Sequence, residues 1–383
     1  MWRAIASNAL TILIVALFLL GGVIIWGQRE YQEAGPLSDA ICLRVESGSN
    51  FKTVSQVLEQ KGAISSGAIL RLGADYTEKA DKLKAGSFLV PQGASMEEIV
   101  DIVTRGGAST CGTEVVYRVG VTRSAIVVRE LDPATNRYVE VTAFNPAEDE
   151  APTEFTKVRG EADTRYRIAV AEGVTSWQVV DALSRIDLLE GEATVPAEGT
   201  LFPDSYEVRA GDTRTSVIER MMEKQEIILE EAWKNRVDGL PLNSKEEALI
   251  LASIIEKETG VAEERRTVAS VFINRLERGM RLQTDPTVIY GVTKGQGVLG
   301  RGLRQSELRR ETPWNTYIIQ GLPPTPIANP GRASIEAALD PANTKFIFFV
   351  ADGSGGHAFA ETLDQHNRNV AKWRQIEAER AKQ

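Results

Sequence analysis

Two glutamates, Glu256 and Glu258, stand at the end of a strongly apolar helical run. The run opens with Ser244 and Glu247, the two halves of a reciprocal N-terminal capping box, and Gly260 is a natural stop. Between them, residues 248–255 are apolar except for Ser253, so nearly every face of this helix is expected to be buried. Glu256 arrives directly after the run. A carboxylate held against apolar neighbours has its charged form disfavoured, which moves its pKa towards that of a general acid. Residues two apart on a helix diverge by about 200°. The two glutamates therefore cannot serve one site, and spacing does not choose between them or exclude two solvated end-of-helix charges.

Composition narrows the chemistry. The chain has 383 residues, 43% hydrophobic and 25% charged, with a formal net charge of −9. That is an ordinary globular balance, and the negative charge argues against nucleic acid as a partner. Two cysteines and two histidines leave no set for a Cys/His zinc site. Gly353-Ser354-Gly355 lacks the strand-to-helix apolar context of a nucleophile elbow. Carboxylate chemistry without metal or cofactor is the expectation.

The N-terminus carries an anchor. Ala9–Trp26 (ALTILIVALFLLGGVIIW) is almost wholly apolar, and at 1.5 Å per residue it covers about 27 Å, close to a hydrocarbon core. Trp2 and Trp26 fall where interfacial aromatics sit, and Arg3 precedes the span with no acidic residue beside it. The positive-inside rule then places the N-terminus in the cytoplasm. A cleaved signal peptide shares this pattern, but no clear small-x-small site follows before Tyr31. On either reading, residues after about 28 are exported, and Cys42 and Cys111 are expected to pair in an oxidising compartment.

Three segments share one pattern: Val45 to Asn50 leading into Val54 and Leu58, Val90 to Ser95 into Ile99 and Val103, and Val170 to Thr175 into Val179 and Leu183. Each reads as a strand end, a glycine turn, a small polar N-cap and an amphipathic helix. They resemble LysM-like units of cell-wall proteins, although strand–turn–helix units also recur in unrelated folds. Residues 124–131 and 137–144 flank Asp132-Pro133-Ala134-Thr135-Asn136, a turn between two β-rich runs. The acidic stretch 145–164 reads as a solvated loop.

The longer motifs carry a family resemblance. Glu198-Gly-Thr-Leu-Phe-Pro203-Asp204-Ser-Tyr206, Leu251-Ala-Ser-Ile-Ile-Glu256-Lys-Glu258-Thr259, Phe272-Ile-Asn274-Arg275-Leu276 and Met280 to Gly291 occur in that order. With Asn315-Thr-Tyr317, Gly321-Leu-Pro-Pro324 and Val350-Ala-Asp-Gly353 followed by His357, they resemble the YceG-like endolytic murein transglycosylases. The resemblance implies Glu256 as the catalytic acid/base and peptidoglycan glycan strands as substrate, cut between N-acetylmuramic acid and N-acetylglucosamine. It implies a 1,6-anhydromuramic acid product, for which one carboxylate suffices because the sugar's own C6 hydroxyl replaces water. Asn274, Gln283, Asp285, Tyr290, Asn315 and Tyr317 are then candidates to bind sugar, with His357 at the rim. Peptidoglycan synthases are implied as partners, with the protein in the inner membrane and its catalytic domain periplasmic.

The expected fold class is α+β: a transmembrane helix, LysM-like βα units with a β-rich insertion, and a mixed α/β catalytic domain. Expected boundaries are a stub at 1–8, the span at 9–27, a linker at 28–42 and LysM-like units at 43–110. The insertion then covers 111–165, a third LysM-like unit 166–190, the catalytic domain 191–374 and a tail 375–383. Two rival readings stay open: a hydrolytic muramidase using Glu256 and Asp285, and a non-catalytic wall-binding scaffold.

Overall fold

A computed structural model describes residues 2–105, 110–161 and 163–380, so the first residue of the expected stub and the last three of the expected tail lie outside the described residues. The chain is a mixed α+β protein that divides into two compact units, residues 1–116, 127–144 and 148–166, and residues 117–126, 145–147 and 167–383.

The first unit begins with helix α1 (Trp2–Gln32), whose segment Leu10–Gln32 contains an 18-residue stretch of mean hydropathy 2.6 and is long and apolar enough to cross a membrane. The helix runs on into the segment expected as a linker, and its end is seated. Tyr31 is buried, its ring lies directly on the Cα of Gly73, where any side chain would overlap it, and the Ser65 hydroxyl donates to Glu30 Oε1 at 2.5 Å.

Next come β1 (Ile41–Val45), α2 (Phe51–Gln60), α3 (Gly67–Tyr76), β2 (Gly86–Val90) and α4 (Met96–Thr104). The expected caps form: Asn50 accepts from the Thr53 N–H, and Ser95 and Glu98 close a reciprocal box. The first two repeats, however, do not stand as separate units. Their strands pair antiparallel, Ile41 opposite Val90 and Val45 opposite Gly86. Leu43, Val45, Leu58, Leu70, Phe88, Ile99 and Val103 share one core. A lone strand cannot satisfy its backbone, whereas two paired strands backed by helices can.

The β-rich segment contains β3 (Thr113–Val119), β4 (Ala125–Asp132), β5 (Arg137–Phe144), α5 (Thr153–Val158) and β6 (Arg165–Val170). The Asp132 turn forms as its chemistry requires: its carboxylate accepts from the Ala134 N–H (3.0 Å) and the Thr135 hydroxyl (2.8 Å), and Asn136 takes the left-handed conformation (φ 51°). The acidic stretch is more ordered than a solvated loop, because Phe155 on α5 is buried with its ring 5.2 Å from that of Phe144.

The chain continues with α6 (Ser176–Ser184), β7 (Ser205–Val208), α7 (Arg214–Lys234), α8 (Lys245–Glu258), α9 (Arg265–Glu277) and α10 (Asp285–Thr293). It ends with α11 (Gln305–Leu308), α12 (Arg332–Leu339), the antiparallel pair β8 (Phe348–Ala351) and β9 (His357–Ala360), and α13 (Leu363–Arg380). Strands β3 to β7 form a sheet in the order β5-β4-β3-β6-β7. Helix α8 is the axis of the second core: Leu251, Ile254 and Ile255 pack with Phe272, Leu282, Ile327, Ile335 and Leu339. The third repeat, β6 to α6, falls mostly within this second unit.

Cys42 on β1 and Cys111 are joined in a disulfide with their Cα atoms 5.6 Å apart. Closing a loop of 69 residues is worth about 4 kcal/mol in the chain-entropy account. Thiol titration of the denatured, unreduced protein should find no free cysteine. Cys42→Ser should lower the unfolding free energy by roughly that amount, read by denaturant melts.

Candidate active site

Helix α8 is apolar almost all round, so its side chains from Ala248 to Ile255 are buried. Its one polar interruption, the Ser253 hydroxyl, is satisfied twice: it donates to Ile250 O (2.7 Å) and accepts from the Ile327 N–H (3.0 Å). After Lys245, Glu246 and Glu247 in the first turn, charge returns only in the last, where Glu256, Lys257 and Glu258 leave the helix in three directions.

Glu256 meets the start of α12. Its Oε2 accepts from the Gly331 N–H at 3.0 Å, a favourable place for an anion because a helix N-terminus presents unpaired N–H groups. The turn at Glu172-Gly173 closes over it: a side chain at Gly173 would lie 3.6 Å from Glu256 Cγ, and the Glu172 carboxylate rests on Gly331. Burial, then the charge of Glu256, pushes the Glu172 carboxyl above its usual range, with Arg265 opposing. This turn, which the sequence assigned to a LysM-like unit, is built into the second unit. Gly173 N–H donates to Asn329 O, and the Asn329 N–H and Nδ2 both donate to Val174 O, all at 2.9 Å.

Lys257 donates to Gly173 O at 3.1 Å, and burial lowers its pKa against the opposing pull of Glu256 and Glu198. It also lines a cavity of about 310 Å³ together with Thr175, Gln178, Pro286, Tyr290 and Gly295. Gly295 is required there: its φ is +74°, and a side chain would crowd Glu198 Oε2 and Tyr290 at 3.1 Å. The Tyr290 hydroxyl donates to Glu198 Oε2 at 3.2 Å. Burial raises the Glu198 carboxyl, while N–H and O–H donors from Ser176 oppose the rise.

Glu258 faces a third neighbourhood. Its Oε1 accepts from the Thr284 hydroxyl. Thr284 is buried and stapled to the buried Thr316, whose hydroxyl accepts from the Thr284 N–H at 3.0 Å. Next along the chain, Asp285 Oδ1 accepts from the Tyr317 hydroxyl at 2.7 Å. Burial of its carboxyl end pushes Glu258 above the usual carboxylate range; Asp285 adds to the rise, while the Thr284 hydroxyl, His357 and Arg275 oppose it.

The sequence-derived residues separate accordingly. Asp285 and Tyr317 are brought to Glu258, and His357 lies within its electrostatic reach while hydrogen-bonding Glu264 (Nδ1 to Oε2 2.8 Å). Tyr290 belongs to the cavity beside Lys257. Glu256 accepts from the Gly331 N–H, whereas the Asp285–Tyr317 pair lies towards Glu258, because the two glutamates diverge as the helical repeat demands.

Three further candidates make hydrogen bonds within the fold. Asn274 donates to Thr344 O (3.0 Å) and Phe346 O (2.8 Å). Fully buried Asn315 donates to Glu307, Leu308 and Arg310 carbonyls. Gln283, left-handed at φ 50°, contributes its backbone N–H to Thr316 O (3.1 Å) and leaves its side chain exposed. Thr284, Glu172 and Glu198 were not among the candidates. For Thr284 the available signal was its place as N-cap before Asp285-Pro286, a helix start. Among the described residues, no group of three or more His, Cys, Asp or Glu side chains could hold a metal ion.

A desolvated carboxyl beside a second carboxylate, with hydroxyl groups around both, is the equipment of general acid–base chemistry on a hydroxyl-rich substrate. The YceG-like family model matches residues 43–372, and the chain belongs to that family. An endolytic murein transglycosylase of Bacillus subtilis (strain 168) is 28% identical over 356 residues, covering 93% of this chain and 91% of the relative. One from Streptococcus pneumoniae serotype 2 (strain D39) is 26% identical over 345 residues and covers 87% of this chain, which spans 58% of that relative's length. A YceG-like protein from Listeria monocytogenes aligns in structure with a TM-score of 0.45 at 24% identity, covering 86% of this chain and 99% of the other.

Two outcomes test the geometry. Asn329→Ala should destabilise the second unit by about 2 kcal/mol in denaturant melts, because it leaves the buried Leu201 N–H without its acceptor and removes one of the two donors to Val174 O. Folding raises the pKa of Glu258, so its contribution is fully present below the unfolded value of about 4.3 and is lost as pH rises through the folded value. Glu258→Gln should therefore melt above the parent at neutral pH, with the gap closing towards pH 4, as followed by thermal unfolding across pH.

Proposed function

We propose that this chain is an endolytic murein transglycosylase, anchored in a membrane by α1, and that Glu258 is its acid/base. Family membership and the shared name of the relatives support the activity. The single observation supporting the residue is the meeting of Glu258 with Thr284 and Asp285. The motif resemblance pointed to Glu256, but that carboxylate is engaged by the start of α12 and has neither Asp285 nor Tyr317 beside it among the contacts described.

In this reading the strand lies across the Glu258–Asp285 face. Protonated Glu258 donates to the glycosidic oxygen between N-acetylmuramic acid and N-acetylglucosamine. The bond from the muramic anomeric carbon breaks, and Asp285, oriented by Tyr317, stabilises the positive charge that develops. Glu258, now a carboxylate, takes the proton of the muramic C6 hydroxyl as its oxygen closes onto the anomeric carbon. The products are a 1,6-anhydro end and a free N-acetylglucosamine hydroxyl, with no water consumed. Intramolecular closure gains from a held geometry what a bimolecular attack lacks. The 310 Å³ cavity past Pro286 gives flanking saccharide a place to sit.

The closeness of Asp285 to Glu258 also favours one second reading, a hydrolytic muramidase in which Asp285 is the second carboxylate. The paired-strand module of residues 41–104 is read as LysM-like, a glycan-holding part beside the cutting one. The N-terminus is assigned to the cytoplasm, the rest to the periplasm, and peptidoglycan synthases are the partners a strand cutter at the membrane would meet.

Glu258→Gln should lower cleavage of purified glycan strands by at least about 1000-fold, since the amide can neither give nor recover the proton. Glu256→Gln should stay within about tenfold, and Asp285→Asn should fall between. Mass spectrometry of the products decides the chemistry: ends lighter by one water are anhydro, and reducing ends would transfer the protein to the muramidase class. An active Glu258→Gln enzyme beside an inactive Glu256→Gln enzyme would return the role to Glu256. Protease added to spheroplasts should digest the chain beyond residue 32, and protection of that part would reverse the topology.

A further inference from the structure

We propose that Leu72 and Tyr76 on α3 form a second contact with the membrane, seating the module of residues 41–104 on the lipid surface from which α1 emerges. The inference rests on the reading of α1 as a membrane anchor.

The geometry begins at Tyr31. Its ring lies on the Cα of Gly73, where the bare backbone of α3 admits it and any side chain would overlap it. Tyr31 is five residues beyond Trp26, hence about 7.5 Å further along the helix axis. The headgroup layer adds about 5–8 Å on each side of the hydrocarbon core. If Trp26 marks the hydrocarbon boundary, α3 crosses α1 at the level of the headgroups. The seat is fixed rather than hinged, because Ser65 donates to Glu30 and Gly35 N–H donates to Gly93 O at 3.1 Å.

The faces of α3 then have distinct environments. Leu70 and Ala74 are fully buried in the module core. Leu72 and Tyr76 lie two residues further along, about 200° around the helix, and so project from the opposite flank. They are 70% and 82% exposed. Two large apolar side chains at i and i+4, directed away from the core at headgroup depth, match an interfacial lipid contact. An aromatic with a polar tip is the residue type that such a layer favours.

The test uses the full chain in phosphatidylethanolamine/phosphatidylglycerol liposomes. Cys42 and Cys111 are paired, so Tyr76→Cys and, separately, Leu72→Cys can be labelled with an environment-sensitive fluorophore. Val139→Cys on exposed β5 of the same unit serves as reference. Alkaline carbonate extraction comes first: release from the vesicles would sink the anchor reading and this inference with it. In retained protein, labels at 72 and 76 should be quenched by headgroup nitroxide lipids and be about threefold or more less accessible to aqueous iodide than the label at 139. Equal iodide access at 72, 76 and 139 in retained protein would overturn the lipid contact alone and leave the anchor standing.

Discussion

Everything near the candidate site depends on one constraint: a helix that is apolar on every side between its first and last turns. From Ala248 to Ile255, helix α8 has no solvent face on which to place charge, so the second unit is assembled around it, and its three C-terminal polar residues each find a partner in a different segment. Glu256 takes the N–H at the start of α12, Lys257 the carbonyl of Gly173, and Glu258 the hydroxyl of Thr284. Burying a polar group without such a partner costs more than forming the bond returns. The same helix end thereby gathers segments distant in sequence into one neighbourhood.

Those segments are largely irregular, and they are held by buried amides and hydroxyls rather than by regular secondary structure. Asn329 joins Val174, Ser176 and Leu201. Asn315 collects three carbonyls and orders the Tyr317 N–H, and Thr316 fixes Thr284 and Thr287. Such networks are costly when half satisfied and rigid when complete. A loop stiffened in this way holds the Asp285–Tyr317 pair in place without belonging to a helix interior or strand.

The first unit solves a different problem, that of a small module with a modest core. Two short strands give it one ladder, α1 gives it a fourth helix to pack on, and the Cys42–Cys111 bridge removes part of the unfolded chain's freedom. Because Tyr31 and Glu30 are part of that packing, the module is an extension of the apolar helix rather than a body on a tether. The two halves of the sequence pattern at 45–58 and 90–103 are complementary for the same reason: each supplies the strand that the other lacks.

Local patterning determined what was local. The apolar span, the capping boxes at Ser95 and Thr175, the Asp132 turn and the buried character of α8 were all written in residue spacing, because each depends on interactions within a few positions. The length of α1 beyond Trp26 and the small helix around Phe155 were not, since a partner remote in sequence holds each in place. The surroundings of the two glutamates show the same limit. Periodicity established that Glu256 and Glu258 diverge, and motif resemblance favoured Glu256. Which of them would meet Asp285 and Tyr317 depended on where residues 284–317 return to the helix end. The amides of Asn274 and Asn315 could bind sugar or a backbone carbonyl by the same chemistry, and it is the tertiary structure, not the sequence, that brings carbonyls within their reach.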